Sequence, residues 1–310
     1  MEPPVSVDRA GERVRAAIIQ CKPRKGQYAE NLATLAETFS QLGGAGAADL
    51  IVLPEAALTG YFLEGAVYEL AVDAERFAGD VTNAWRRANG KLPVAIASGF
   101  YENFEGTYYN SAIFLEFDGK TSRIVHVHRK MFLPTYGVFD EERFLSRGRR
   151  LEVFETRFGS CAMLVCEDLW HAIMPTIAAV KGARIIIVPS AAPGRGIEEH
   201  DELGSIARWR EILHATAAEH GVYVLYAGLA GFEGGKGMTG SSRIVDPRGN
   251  TVVAAPALGA HIIRASIDLR EIDIARATLP LLGDLQAVLP DLLLDDDLPL
   301  PRSNPHAADH

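Results

Sequence analysis

Short apolar runs recur along the chain, and their length is the feature that most limits the fold. They occupy residues 14–20, 50–54, 94–100, 111–117, 124–130, 161–166, 184–190, 222–230, 241–246 and 262–268. Their shortness, β-branched content and flanking Gly or Pro favour strands. Several, such as LIVLP and RIIIVPS, are almost continuously apolar, as strands buried on both faces must be. Between them, residues 31–42 place Leu32, Leu35, Phe39 and Leu42 at helical spacing, and 170–181 and 201–220 read the same way. Asp118-Gly119 and Pro247-Arg248-Gly249-Asn250 mark turns between strand pairs. Alternating strands and helices with interspersed hairpins specify an α/β fold with a mixed sheet system. The strands are too many for one small open sheet, so two stacked sheets with helices outside are expected.

No linker divides the chain. One domain over residues 1–285 is expected, then an acidic, Pro-rich tail over 286–310. In the tail Asp291, Asp295, Asp296, Asp297 and Asp309 face only Arg302, a composition that argues against a core element. It reads either as an arm draped on the surface or as one packing on a partner subunit through Leu292, Leu293 and Leu294. With 310 residues, 48% of them hydrophobic, the chain can bury a large core without disulfides. The net charge of -9 argues against nucleic acid or anionic membrane as a partner. Cys21, Cys161 and Cys166 make neither a disulfide framework nor a zinc-ligand spacing. The first residues, MEPPVSVDRAGERVR, lack a signal-peptide core, and no apolar run reaches the about 18 residues of a membrane span. A cytoplasmic location and a small-molecule substrate are therefore expected.

The polar exceptions to the apolar runs carry the chemistry. Glu55 follows LIVLP, Lys130 follows IVHVHR, and Cys166 ends CAMLVC and precedes Glu167 and Asp168. Ligands of open α/β sheets gather at the carboxyl ends of strands. A carboxylate, an ammonium and a thiol meeting there would supply a base, an electrostatic stabiliser and a nucleophile. Singly, each has a plainer reading: a buried packing cysteine, a solvated Glu or Lys. The thiolate is the reactive form, and a free thiol is mostly protonated at neutral pH. A nearby carboxylate can take that proton and return it to a leaving amine. An ammonium and the N–H of Glu167, if the chain turns into a helix there, can hold the tetrahedral oxyanion. The resulting thioester is then hydrolysed. No step needs a metal or an organic cofactor. Cys161, five residues before Cys166, should face the opposite side of its strand and belong to the core. Cys21 is expected to pack, and His128 to be structural. Glu167 and Asp168 read equally as a helix-start charge pair.

The ordered segments LPEAALTGY, HRKMFLPTYGVFDEERF and CEDLW resemble the nitrilase superfamily of carbon–nitrogen hydrolases, over residues 14 to about 277. The resemblance implies a four-layer α-β-β-α sandwich and a Glu-Lys-Cys triad. Glu55 would be the general base, Lys130 the oxyanion stabiliser and Cys166 the nucleophile. YGVFDEERF resembles the segment carrying a second active-site glutamate, and its E-x-R-aromatic pattern selects Glu141 over Glu142. Glu141 would position Lys130 or the leaving group. Tyr61 and Tyr136, which follow the Glu and Lys motifs, are candidates to line the pocket.

CEDLW is similar to the glutaminase domains of glutamine-dependent NAD synthetases. By that similarity Glu167 and Ser190 of the PSAAP segment would help hold substrate, although Ala192 replaces a second Ser and GRG follows. Nothing resembles the SGGxDS-type loop of a synthetase domain. The expected activity is that of a free-standing amidase cleaving a linear carboxamide to acid and ammonia. The alternatives are a glutaminase-type ammonia-donating subunit, an N-carbamoyl hydrolase, a nitrilase, or an inactive scaffold. The Trp-Glu that typically follows the cysteine of the nitrile-hydrolysing branch is absent. The family resemblance also implies a homodimer or larger assembly, paired through the helical stretch 170–181. Loops 194–202 and 230–240 are expected to set specificity.

Overall fold

The computed structural model describes residues 13–44, 47–196 and 202–294. In chain order the strands are β1 (Arg13–Gln20), β2 (Leu50–Val52), β3 (Val94–Phe104), β4 (Thr107–Phe117), β5 (Ser122–Arg129), β6 (Val153–Thr156), β7 (Gly159–Met163), β8 (Ile185–Ser190), β9 (Tyr223–Gly228), β10 (Ala230–Glu233), β11 (Lys236–Thr239), β12 (Arg243–Val245), β13 (Thr251–Ala254) and β14 (His261–Asp268). The α-helices are α1 (Tyr28–Ser40), α2 (Val67–Leu70), α3 (Ala74–Asn89), α4 (Ile173–Val180), α5 (Gly204–His220), α6 (Arg270–Thr278) and α7 (Leu281–Leu293).

Two six-stranded sheets form, in the orders β14-β1-β2-β3-β4-β5 and β13-β12-β9-β8-β7-β6. Each has a parallel centre, β1-β2-β3 in one and β7-β8-β9 in the other. Parallel neighbours need crossovers; α1 and α3 provide them in the first sheet, α4 and α5 in the second. Successive side chains of a strand point to opposite faces, and this sorts the first sheet's residues into two cores. Ala16, Ile18, Leu50, Val52, Ala95, Ala97, Ala112 and Phe114 meet the second sheet. Ala17, Ile19, Ile51, Ile96, Ile113 and Leu115 meet Leu35 and Phe39 of α1 and Phe77, Val81 and Trp85 of α3. The second sheet carries Met174 and Ala178 of α4 and Trp209, Leu213 and Ala217 of α5. The result is the expected α-β-β-α sandwich.

Three elements differ from expectation. Helix α3 was not anticipated, because its apolar residues Phe77, Val81 and Trp85 are diluted by charged and small ones. Asp73 starts it, its side chain accepting from the Arg76 N–H at 2.7 Å. Residues 230–240, expected as a loop, form the β10–β11 hairpin. Helix α7 runs through the expected boundary at 285/286 and includes Pro290. Leu282, Leu285 and Leu289 recur at helical spacing and turn inward, and α7 lies against α4, α5 and α6. Residues 286–293 are thus helical rather than an arm, while Leu292, Leu293 and Leu294 are exposed. The rest of the tail, 295–310, and residues 197–201 of the expected specificity loop lie outside the described residues. Among the described residues no helix is long and apolar enough to cross a membrane.

Candidate active site

Glu55 lies three residues beyond β2, Lys130 directly after β5, and Cys166 three beyond β7. The chain keeps its strand course in between. Leu53 N–H donates to the Ala97 carbonyl at 2.8 Å, and Leu164 N–H to that of Ile187 at 3.0 Å. Gly99 on β3 permits the close approach at Glu55, since a Cβ there would sit 2.4 Å from the Glu55 Cα. Cys166 has φ of +49°, a left-handed conformation that costs a non-glycine residue about 1–2 kcal/mol. That bend turns the strand into a short 3₁₀ turn, Cys166–Trp170.

The ionisable groups form one buried cluster. Lys130 Nζ donates to Glu55 Oε1 at 3.0 Å and to Glu141 Oε1 at 2.7 Å. Asn110 Nδ2 donates to the same Glu55 oxygen at 2.7 Å, and the Ala191 N–H donates to Glu55 Oε2 at 2.6 Å. The Tyr61 hydroxyl donates to Glu141 Oε1. Beside them the Ser190 hydroxyl donates to Cys166 Sγ at 3.2 Å. Glu55 and Lys130 are fully buried, and Cys166 is 6% exposed. Burial pushes the Cys166 thiol well above its usual range, the Glu55 carboxylate adds to this, and Lys130 opposes it. Burial works against the Lys130 ammonium, but Glu141 and Glu55 outweigh it and hold the amine well above its ordinary range. Burial likewise raises Glu141 to about 7, against the pull of Lys130. The resting site therefore holds a neutral thiol beside a permanent ammonium, and the thiol needs a base before it can attack.

The profile of the carbon–nitrogen hydrolase family matches residues 15–277. The chain belongs to that family. It is a hydrolase acting on carbon–nitrogen bonds other than peptide bonds. This carbon–nitrogen hydrolase is 29% identical over 257 residues to a glutamine-dependent NAD(+) synthetase of Rhodobacter capsulatus, covering 83% of this chain and 44% of that protein. It spans less than half the length of that relative. Over 287 residues it is 26% identical to a citrullinase of Francisella tularensis, covering 90% and 97% of the two chains. A solved carbon–nitrogen hydrolase from Helicobacter pylori G27 superposes with a TM-score of 0.78 at 25% identity, covering 92% of this chain and 99% of that one.

The hydrolase fold brings Glu55, Lys130 and Glu141 into direct contact and sets Cys166 beside them on Ser190. Glu142 is exposed, whereas Glu141 is buried. Tyr61 reaches Glu141, whereas Tyr136 reaches Glu167, its hydroxyl 2.9 and 3.0 Å from the two carboxylate oxygens. A cavity of about 310 Å3 is lined by Tyr61, Phe62, Tyr101, Phe139, Glu141 and Phe144, among others. A second, of about 770 Å3, has Phe132, Tyr136, Glu167 and His171 in its wall. Among the described residues no three His, Cys, Asp or Glu side chains are grouped to hold a metal ion. Cys161 is buried in the core between the sheets, and Cys21 is half-buried against the core beneath α1 and α3.

Sequence reasoning missed several residues of the site. Asn110 is brought over Glu55 by its pairing with Tyr101 across the β3–β4 hairpin. Glu233, on the β10–β11 hairpin, accepts the N–H groups of Tyr61 and Phe62 at 2.9 Å and so fixes Tyr61 beneath Glu141. Asp168 stands in the first turn of the Cys166–Trp170 3₁₀ turn, as the helix-start reading expects, and is also a buried junction. It accepts from Val165 N–H at 3.0 Å, from Met131 N–H at 2.9 Å and from Phe132 N–H at 3.0 Å, and it pairs with His128 Nε2 at 2.9 Å. One buried carboxylate thereby ties the segment after Lys130 to the turn at Cys166. Asp168→Asn puts an NH2 group against at least one of these donors. It is expected to cost about 1–3 kcal/mol and to lower kcat more than KM. Urea unfolding and steady-state kinetics check this; unchanged stability would mean that the junction carries no load.

Proposed function

We propose that the protein is a thiol amidohydrolase that cleaves a linear carboxamide to acid and ammonia through a thioester on Cys166. The observation that carries this reading is the buried cluster in which Lys130 bridges Glu55 and Glu141 beside the strained Cys166. Glu55 takes the thiol proton as sulfur attacks the amide carbon, and the carbonyl oxygen gains the negative charge. An ammonium has three donors; two of those on Lys130 serve Glu55 and Glu141, leaving the third for that oxygen. Glu55 returns its proton to the nitrogen, the C–N bond breaks, and ammonia leaves the acyl group on sulfur. Water, deprotonated by Glu55, attacks the thioester; the C–S bond breaks and the thiol regains its proton. The sum is amide plus water to acid plus ammonia. Glu141, bonded to Lys130, keeps the ammonium in place beside Glu55.

A second reading, a glutaminase that passes ammonia to another protein, is favoured by the Tyr136–Glu167 contact and by the similarity to NAD synthetases. Exposed Trp170, Ile173 and Ile177 support self-association through α4 in either case. The test is ammonia release from glutamine, citrulline, aliphatic and aromatic carboxamides and a nitrile. Release from simple carboxamides, reduced at least about 10³-fold in Cys166→Ala, is the expected result. Release from glutamine alone would establish the second reading, and silence across the panel in folded protein would overturn both.

A further inference from the structure

We infer that Arg195 binds a carboxylate of the substrate, so that the amide this hydrolase cleaves carries an anionic group at the end remote from the scissile bond. This deepens the amidohydrolase reading and rests on it.

The position of Arg195 is fixed on both sides. Its N–H donates to Ser205 Oγ at 3.1 Å, and its carbonyl accepts the Ser205 N–H at 3.1 Å. The neighbouring Gly194 N–H donates to the Gly237 carbonyl at 2.8 Å. The segment is thus pinned between β11 and the first turn of α5. From there the guanidinium reaches the aromatic wall of the site, 4.7 Å from the Phe139 ring centroid and 5.6 Å from that of Tyr136. Gly137 makes room for it: a Cβ there would lie 3.1 Å from Arg195 Nη2, and its φ is +64°. Phe139 packs edge-on against Tyr61, which holds Glu141. Tyr136 holds Glu167, the residue after the nucleophile. The Tyr136 hydroxyl is pushed up to about 12 by burial and by Glu167; the Arg195 charge pulls the other way, and Cys166 adds to the rise. That phenol feels both the guanidinium and the nucleophile.

Among the described residues Arg195 has no anionic partner. Other arginines of the chain have partners: Arg143 pairs with Asp140 at 3.6 Å, Arg129 with Glu102 at 2.8 Å and Arg210 with Glu202 at 2.7 Å. Among the described residues no carboxylate lies within ion-pair distance of Arg195. A guanidinium resting its face on aromatic rings keeps its N–H edges free, and those edges match a carboxylate in two parallel hydrogen bonds. The Glu167 carboxylate nearby would repel an anionic ligand unless a cation balanced it. Arg195 is the cation on the same tyrosine.

The test is equilibrium binding to the Cys166→Ala protein, which holds substrate without turnover, read by calorimetry. The ligands are succinamate, glutaramate and adipamate, each matched to the uncharged amide of equal length: butyramide, pentanamide and hexanamide. At least one acid is expected to bind about tenfold or more tightly than its neutral partner, the scale of one charge-assisted bidentate contact. Adding Arg195→Ala should remove most of that preference, and Arg195→Glu should reverse it. The preference should also narrow in high salt, because the pair is solvent-accessible. Arg195 is exposed, and thermal unfolding of each variant verifies that the fold persists. Absence of any preference for the acids, or a preference that survives Arg195→Ala, overturns the inference. Ammonia release by the unsubstituted protein from either glutaramate or pentanamide reads the parent proposal separately, so the two can fail independently.

Discussion

Lys130→Met is expected to lower the free energy of unfolding by about 3–5 kcal/mol, the range for removing one partner of a buried ion pair, and to abolish turnover. Lys130 is fully buried, and its ammonium is the only cation bonded to Glu55 and Glu141 among the described residues. Met fills a similar volume but leaves two carboxylates facing each other without a counter-charge. The pH dependence distinguishes this from a packing defect. Glu141 already holds its proton more tightly in the native state, up to about 7 against an ordinary 4.5. A carboxyl raised in this way favours the native state below its unfolded pKa. That favour is lost as pH rises through the window from about 4.5 to 7. Without Lys130 the native value climbs further. The deficit of the variant should therefore be small at the acid end and grow toward neutral pH and above. Urea unfolding across this range, on the variant and on Lys130→Met combined with Glu141→Gln, checks it. The second change removes one buried charge and should restore part of the loss. A deficit that ignores pH would show that the two carboxylates do not depend on Lys130.

The layering was legible because it rests on short-range rules. The near-continuous apolarity of LIVLP and RIIIVPS marks strands covered on both faces, and the number of strands calls for two sheets. Glu55, Lys130 and Cys166 stood out for a similar reason, each breaking an apolar run at the place where a strand ends. Their order along the chain and the pattern around Glu141 then tied them to one family. What could not be read depends on register and on distant contacts. Asn110 precedes an unremarkable apolar run, and only its pairing with Tyr101 in the hairpin carries it over Glu55. Asp168 reads in the sequence as half of a helix-start charge pair; its partners His128, Met131 and Phe132, the farthest forty residues away, are not visible there. Glu233 sits 172 residues from Tyr61. Helix α7 was obscured by composition, since the Asp and Pro of residues 290–297 masked the helical spacing of Leu282, Leu285 and Leu289.

Glu55→Gln is expected to reduce kcat by about 10²–10⁴-fold, the contribution of a positioned general base, while leaving a folded but less stable protein. Every hydrogen bond recorded at Glu55 is an accepted one, from Lys130 and Asn110 on one oxygen and from the Ala191 N–H on the other. The amide of Gln must aim its NH2 group at one of these donors whichever way it is turned, which costs about 1–3 kcal/mol. A loss of rate alone would not separate this local disturbance from the loss of a base, but the pH profile does. Cys166 keeps its proton well above the ordinary thiol range because of burial. With Glu55 gone, solvent hydroxide is what remains to remove that proton. Residual kcat/KM should then rise about tenfold per pH unit across the neutral range, as expected when the reactive fraction is a small, growing population of thiolate. The unsubstituted protein, in which the proposed mechanism assigns the base to Glu55, should not show that slope. If Glu55→Gln instead gives a flat profile parallel to the parent enzyme, the proton on sulfur goes somewhere other than Glu55, and the carboxylate serves only to hold Lys130.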